Sequence, residues 1–340
     1  MAKYMLNAWY AAATSQEVRD ELLSRTLLEE PLVLFRTGDG TARALLDRCV
    51  HRFAPLSLGH LCADRVVCPY HGMEYDGSGA CTRIPGQARI PAQAQVRAFP
   101  VLERYGLVFV WMGDPAQADA SRLVDIPQYG QPDWGLSRGY AVFGCNWRLI
   151  TDNLIDPAHT TFVHQRTIGN NAGADVPLQS ELIDGHTISC GRWINDSEPV
   201  PIVKRFANPP GNVDRWQYYY LTVPTTSLVD FGCLPTDTAH TVEEQNRAPY
   251  RVLSYAFLTP IDPSRTHYFS FQLRNFAADD TAVTEEFNRL YHATFEEDRV
   301  LLEQIQRTED AHPELEPLCI ASDSGVARLR RLVNSQMGGE

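Results

Sequence analysis

The chain has 340 residues, 44% of them hydrophobic and 21% charged, and a formal charge of −12. Its length exceeds what one small core organises, so two domains are expected. The acidic field, without any Lys/Arg-rich run, excludes nucleic acid and anionic membrane surfaces as partners. No apolar run approaches the roughly 20 residues of a membrane span. The N-terminus lacks the apolar segment of a secretory signal, which makes a cytoplasmic location the expectation. Eight cysteines are scattered along the chain, and in a reducing compartment most should be plain buried thiols.

In chain order, QEVRDELL (16–23) reads as a short surface helix. From about 31 to 112 come short β-type runs, among them PLVLFR, ARALLD, RVVCPY and LVFVWMG, separated by Gly/Asp turns. That pattern indicates a small antiparallel β domain. Residues 113–134 look like a linker rich in Pro, Asp and Gly. CNWRLITDNLIDPAHTTFVH (145–164) reads as helical, with Leu149, Ile150, Leu154 and Ile155 on its apolar side. Strand-like segments return over 180–275, a helix is expected over 283–307, and a shorter one over 325–335. The fold class is therefore α+β: an all-β domain over 1–118, then a domain over 119–340 with one large antiparallel sheet flanked by helices.

Two loops of the β domain carry Cys49-x-His51 and Cys68-x2-His71. Zinc sites that use two Cys and two His usually pair Cys with Cys and His with His. Here each loop offers one thiolate and one imidazole. That suits a [2Fe-2S] cluster with one iron on Cys49 and Cys68 and the other on His51 and His71, the Rieske arrangement. Cys62 and Cys81 lack this pairing and read as packing residues, and His60 reads as a loop histidine.

A second group follows in NLIDPAHTTFVH (153–164). His159 and His164 are five residues apart, an angle of about 140° on an ideal helix. Both can meet one metal only if the helix ends, kinks or widens, and Pro157 supplies a reason. On the far helix, Phe287, Tyr291, Thr294/Phe295, Asp298, Leu302 and Ile305 form an inward stripe. A carboxylate in an apolar stripe must be neutralised, paired or metal-bound. Two His and one carboxylate make the facial triad of a mononuclear Fe(II) site that activates O2; a buried salt bridge to an Arg is the competing account of Asp298. Glu296 and Glu297 fall away from the stripe. Asp156, three residues before His159, is placed to fix its tautomer through the carboxylate. Asn153 is one turn further back, able to approach the iron or to cap the kinked helix.

With NAWY (7–10), CVHRFAPLSLG, CPYHGMEYDGSGAC, IPGQ (84–87), LERYGLVFVWMGDP (102–115), NLIDPAHTTFVH, VDRWQ (213–217), RNFAADD (274–280) and FEEDRVLLE (295–303), the chain resembles the oxygenase components of Rieske non-haem iron oxygenases. Within them it is similar to the branch of vanillate O-demethylase, dicamba O-demethylase and toluenesulfonate methyl-monooxygenase, over essentially its whole length. D-P-A-H stands where the demethylases commonly have D-L-x-H, so the local helix geometry can differ.

The resemblance implies a Rieske domain, a catalytic domain with a twisted antiparallel sheet covered by helices, and a homotrimer. It assigns Cys49, His51, Cys68 and His71 to the cluster and His159, His164 and Asp298 to the iron. Asp156 takes the place of the family's bridging carboxylate, linking His71 of one subunit to the iron of its neighbour. The expected activity is hydroxylation of a methoxy or methyl group on a small aromatic substrate with O2. The chain lacks a G-x-G-x-x-G loop and plant-type ferredoxin spacing, so NADH electrons are expected from a separate flavin/ferredoxin-type reductase. The alternatives are a ring-hydroxylating dioxygenase, an electron carrier without catalysis and a zinc-binding structural protein. Some of Tyr218, Tyr219, Tyr220, Phe257 and Phe271 are candidates to stack on a ring; Arg192, Arg205, Arg215 and Arg251 are candidates to meet an anionic substrate, though each taken singly reads as an ordinary surface cation.

Overall fold

The computed structural model describes residues 3–338. Contacts divide the chain into two compact units. One holds Tyr4–Val124 with Thr259–Asp262, and the other holds Asp125–Leu258 and Pro263 onward.

The first unit is built from short antiparallel strands in three sheets. The strands Ala8–Thr14, Leu107–Met112 and Val101–Arg104 form one; Leu23–Leu27, Glu30–Arg36, Ala42–Leu46 and Ala98–Phe99 form the second. The third, His60–Cys62, Arg65–Val67, Glu74–Tyr75 and Cys81–Arg83, carries the loop of Cys68 and His71. Alternating apolar residues such as Leu32, Leu34, Val108 and Val110 fill the core beneath these sheets. Residues 16–23 are not a helix. The Glu17 carboxylate accepts from the backbone N–H and hydroxyl of Thr14 and pairs with Arg25, which folds the segment into a turn that leads into the strand Leu23–Leu27.

The second unit contains a seven-stranded antiparallel sheet. Its spatial order is Gly135–Phe143, Arg265–Arg274, Tyr250–Asp262, Thr226–Pro235, Val213–Thr222, Thr187–Ser197 and Gln179–Leu182. The central strands are long hairpin neighbours in unbroken register, from Val213↔Pro235 to Thr222↔Thr226. Period-2 alternation therefore places Gln217, Tyr219, Ser227, Val229, Phe231, Ser254 and Ala256 on one face.

Helices Trp147–Asn153, Thr160–Val163, Thr281–Ala311 and Ser324–Gln336 accompany the sheet. The expected stripe on the long helix is Phe287, Tyr291, Thr294, Asp298 and Leu302, as buried residues, but it ends on Gln306 instead of Ile305. Ile305 is exposed. Gln306 is drawn in because its carbonyl accepts from the Asn146 backbone N–H. No helix among the described residues is long and apolar enough to cross a membrane.

Candidate metal centres

In the first unit, two tight loops present the four predicted cluster residues. The Cys49 N–H bonds to Ala54 O and the Phe53 N–H to Cys49 O; the Cys68 N–H bonds to Met73 O and the Gly72 N–H to Cys68 O. Gly72 closes the second loop at φ +68°, a left-handed conformation that glycine adopts without cost. Cys49 and Cys68 are buried while His51 and His71 are exposed. The Cys49 Sγ lies 3.2 Å from the Tyr75 hydroxyl. Burial pushes the Cys68 thiol upward, and its hydrogen bond with Cys49 adds to this.

The Nδ1 atoms of His51 and His71 approach to 3.2 Å. Metal–nitrogen bonds of about 2.1 Å at a tetrahedral angle put two nitrogens about 3.4 Å apart, so this pair fits one metal ion. Among the described residues, the group whose ligand atoms all lie within 4.8 Å of one another is His159, His164 and Asp298. The Cys/His set is spread wider than a lone tetrahedral zinc requires, which favours a two-metal cluster. Cys81 is buried as expected. Cys62 is exposed rather than packed, and His60 opens a short strand.

The second centre lies in the second unit. The segment 145–164 is not one helix: it ends at Asn153, runs through a turn and resumes at Thr160–Val163. His159 and His164 therefore bracket a single helical turn. The Asp156 N–H bonds to Asn153 O, the Asp156 carboxylate accepts from the Ala158 N–H, and the Thr160 hydroxyl donates to Pro157 O. A Cβ at Gly169 would fall 2.0 Å from Thr160 O, so only glycine lets the chain pass this turn.

Asp298 Oδ1 lies 3.1 Å from His164 Nε2 and 3.7 Å from His159 Nε2. Asp298 is buried, and among the described residues its Oδ1 meets no donor other than these two imidazoles. No arginine pairs with it among the described residues. Neighbouring ligands of a ferrous ion lie about 3 Å apart, so the three fit the facial triad. Each Nε2 is turned inward because each Nδ1 is held elsewhere. The His164 Nδ1 is 2.8 Å from Glu297 Oε2, which also accepts from the Thr167 hydroxyl. The His159 Nδ1 bonds to the backbone carbonyl of Asp156.

Two expectations change here. The Asp156 carboxylate does not fix the tautomer of His159; its carbonyl does. Glu297 does not fall away, because its long side chain reaches back around the helix to His164. Burial lowers the pKa of His159 and keeps it neutral. At His164 burial also opposes charge, but the hydrogen bonds and fields of Asp298 and Glu297 outweigh it and raise the pKa. Asn153 ends its helix and is not among the cavity-lining residues.

A cavity opens over this triad and is lined by side chains of both the sheet and the helices. Leu154, Ile168, Val229, Phe231, Ala256 and Phe295 make its apolar wall. Of the expected ring-stacking aromatics only Tyr219 lines it; Phe231, Tyr268, Tyr291 and Phe295 are the others present. Arg192 and Arg215 are buried rather than surface cations. Arg192 donates to the carbonyls of Gly173, Val176 and Pro157, tying the turn to the sheet. Arg251 pairs with Asp230 and Arg205 with Glu286.

The family model for the vanillate O-demethylase oxygenase C-terminal domain matches residues 143–337, and the model for the Rieske [2Fe-2S] domain matches residues 8–100. The toluene-4-sulfonate monooxygenase system iron-sulfur subunit TsaM1 of Comamonas testosteroni is 36% identical, over 99% of each chain. The dicamba O-demethylase oxygenase component of Stenotrophomonas maltophilia is 35% identical, over 96% of each. The crystal structure of dicamba monooxygenase bound to 3,6-dichlorosalicylic acid superposes with a TM-score of 0.91 at 32% identity, covering 99% of this chain and 98% of that one.

Proposed function

We propose a specific task for this chain, which belongs to the Rieske oxygenase family with the vanillate O-demethylase oxygenase C-terminal domain: it oxidises a methoxy or methyl group of a small aromatic substrate. The chain is an enzyme, a Rieske-type monooxygenase component. The observation that carries the reading is the meeting of His159, His164 and the buried Asp298, which no arginine or lysine pairs with among the described residues, beneath an apolar cavity.

Cys49, His51, Cys68 and His71 would hold the [2Fe-2S] cluster, and His159, His164 and Asp298 the Fe(II). When bound, the cluster relays single electrons, and the ferrous ion, with positions left open by three protein ligands, activates O2. The overall reaction consumes O2, two electrons and two protons. One oxygen atom enters a methyl C–H bond and the other leaves as water. From a methoxy group the product is a hemiacetal, which releases formaldehyde and leaves a phenol.

The protein's own groups set the stage. Glu297 and the Asp156 carbonyl aim the two imidazoles. Val229, Phe231 and Phe295 exclude water and enclose a ring. Burial pushes the Tyr219 hydroxyl up to about 12, so it stays protonated and shares a hydrogen bond with Thr160. Asn153 holds the turn at Asp156, whose carboxylate accepts from the Ala158 N–H through Oδ1 and would use its other oxygen to bridge to His71 of a neighbouring subunit in a homotrimer. A separate flavin/ferredoxin-type reductase would supply NADH electrons in the cytoplasm.

Iron and sulfide analysis with EPR of the dithionite-reduced protein tests this. The expected result is a rhombic Rieske signal with about three irons and two sulfides per chain. Zinc without sulfide would overturn it. With reductase, an aryl methyl ether should yield formaldehyde and phenol in equal amounts.

A further inference from the structure

The cavity wall formed by the sheet has a polar patch that the metal chemistry does not use. On its face Val229 pairs with Tyr219 and Ser254, and the adjacent row pairs Ser227 with Ala256. Ser227 is 1% exposed and its hydroxyl has no partner. An orphaned hydroxyl in an otherwise apolar wall carries a cost that a ligand group can remove.

Its neighbours have fixed polarity. Arg192 can only donate, and its Nε contacts Gln217 Oε1 at 3.4 Å, which leaves the Gln217 amide nitrogen for the cavity. The Ser254 oxygen accepts from Gln272 Nε2 at 3.3 Å, so its own hydrogen is free to donate. Gln217, Ser227 and Ser254 all line the cavity. The patch is therefore rich in donors.

It is also uncharged. Among the described lining residues there is no lysine or arginine, and the one carboxylate is Asp298. Arg215 stands two residues before Gln217 on the same strand face; it is not a lining residue, and its Nη2 donates to Asn170 while its buried Nε and Nη1 have no partner among the described residues. A carboxylate or sulfonate held by the lining residues alone would be desolvated without a counter-charge in contact, which is strongly unfavourable, and Arg215 behind the lining is the cation whose removal tests this.

We propose that the cavity selects an uncharged aromatic whose ring bears an acceptor oxygen (an amide, ester or ketone carbonyl, for instance) read by Ser227, Ser254 and Gln217. This rests on the oxygenase reading above, but its test is independent of turnover. Binding of 4-methoxybenzamide, 4-methoxybenzoate and anisole to the iron-loaded protein would be measured by calorimetry, anaerobically and without reductase.

The amide should bind at least about tenfold more tightly than the benzoate. Ser227→Ala and Ser254→Ala should each reduce the amide-to-anisole affinity ratio about 3- to 10-fold. The proposal is overturned by benzoate binding as tight as the amide, above all if Arg215→Gln removes it. It is equally overturned by no measurable binding of the amide, or by variants that leave the ratio unmoved. Failure to oxygenate a bound ligand would sink the proposed function and leave this ratio intact.

Discussion

Cys49, His51, Cys68 and His71 reach their positions from two loops, each closed by hydrogen bonds among its own few residues, with the imidazoles exposed. His159, His164, Asp298 and Glu297 come together from distant parts of the chain: His164 and Glu297 are 133 positions apart, and Asp298 is buried. The first centre is a local construction on a small β scaffold. The second exists only when a broken helix, a long helix and a sheet have all packed. Damage to long-range packing should therefore reach the second centre and spare the first.

The largest effect tests that independence. Asp298→Ala removes the carboxylate on which both histidines converge, and turnover should fall by about a thousandfold or more as the ferrous ion is lost. The Rieske EPR signal should remain; its loss would show that the centres are not independently built. Asp156→Asn keeps the carbonyl that holds His159 and an oxygen that can accept from the Ala158 N–H, and removes the carboxylate charge. Turnover should fall roughly 100-fold with both metals retained on analysis, and loss of either metal would count against a bridging role.

Glu297→Gln preserves size and can still accept through its oxygen. Iron affinity, measured by competition with a chelator, should weaken about tenfold. An unchanged affinity would show that Thr167 and the helix alone position His164. Leu302→Ala, one turn beyond Asp298 in a cluster with Phe143, Ile150 and Leu154, should cost about 2–5 kcal/mol in denaturant unfolding of its own unit. At the small end, Phe53→Ser beside the cluster loop replaces a ring that is 70% exposed. It should shift stability by no more than about 0.5 kcal/mol.

The same contrast explains what could be read without a structure. Cluster ligands confined to short loops leave their spacing in the sequence, as C-x-H and C-x2-H. Asp298 was legible because a carboxylate interrupts an apolar stripe of period 3.6. The role of Glu297 was not, because angular position on a helix says nothing of how far a long side chain bends back. Nor was the Asp156 carbonyl, since every residue has one and only the turn chooses which is presented. Residues 225–232 and 254–260 read in the sequence only as strand-like segments. Ser227, Val229, Phe231, Ser254 and Ala256 acquire meaning from the register that sets them side by side. The helix expected at 16–23 failed because two side-chain contacts of Glu17 outweighed a weak propensity.

The proposed ligands of the mononuclear iron, His159, His164 and Asp298, sit on or beside helices, whereas the cavity floor is drawn from the strands Val213–Thr222, Thr226–Pro235 and Tyr250–Asp262. The strand-borne part of the cavity lining thus lies on a stretch of chain that carries none of the three proposed iron ligands. A lineage can exchange residues at 227, 229, 254 and 256 one at a time, sampling new aromatic diets, while the oxygen-activating machinery is transmitted unaltered.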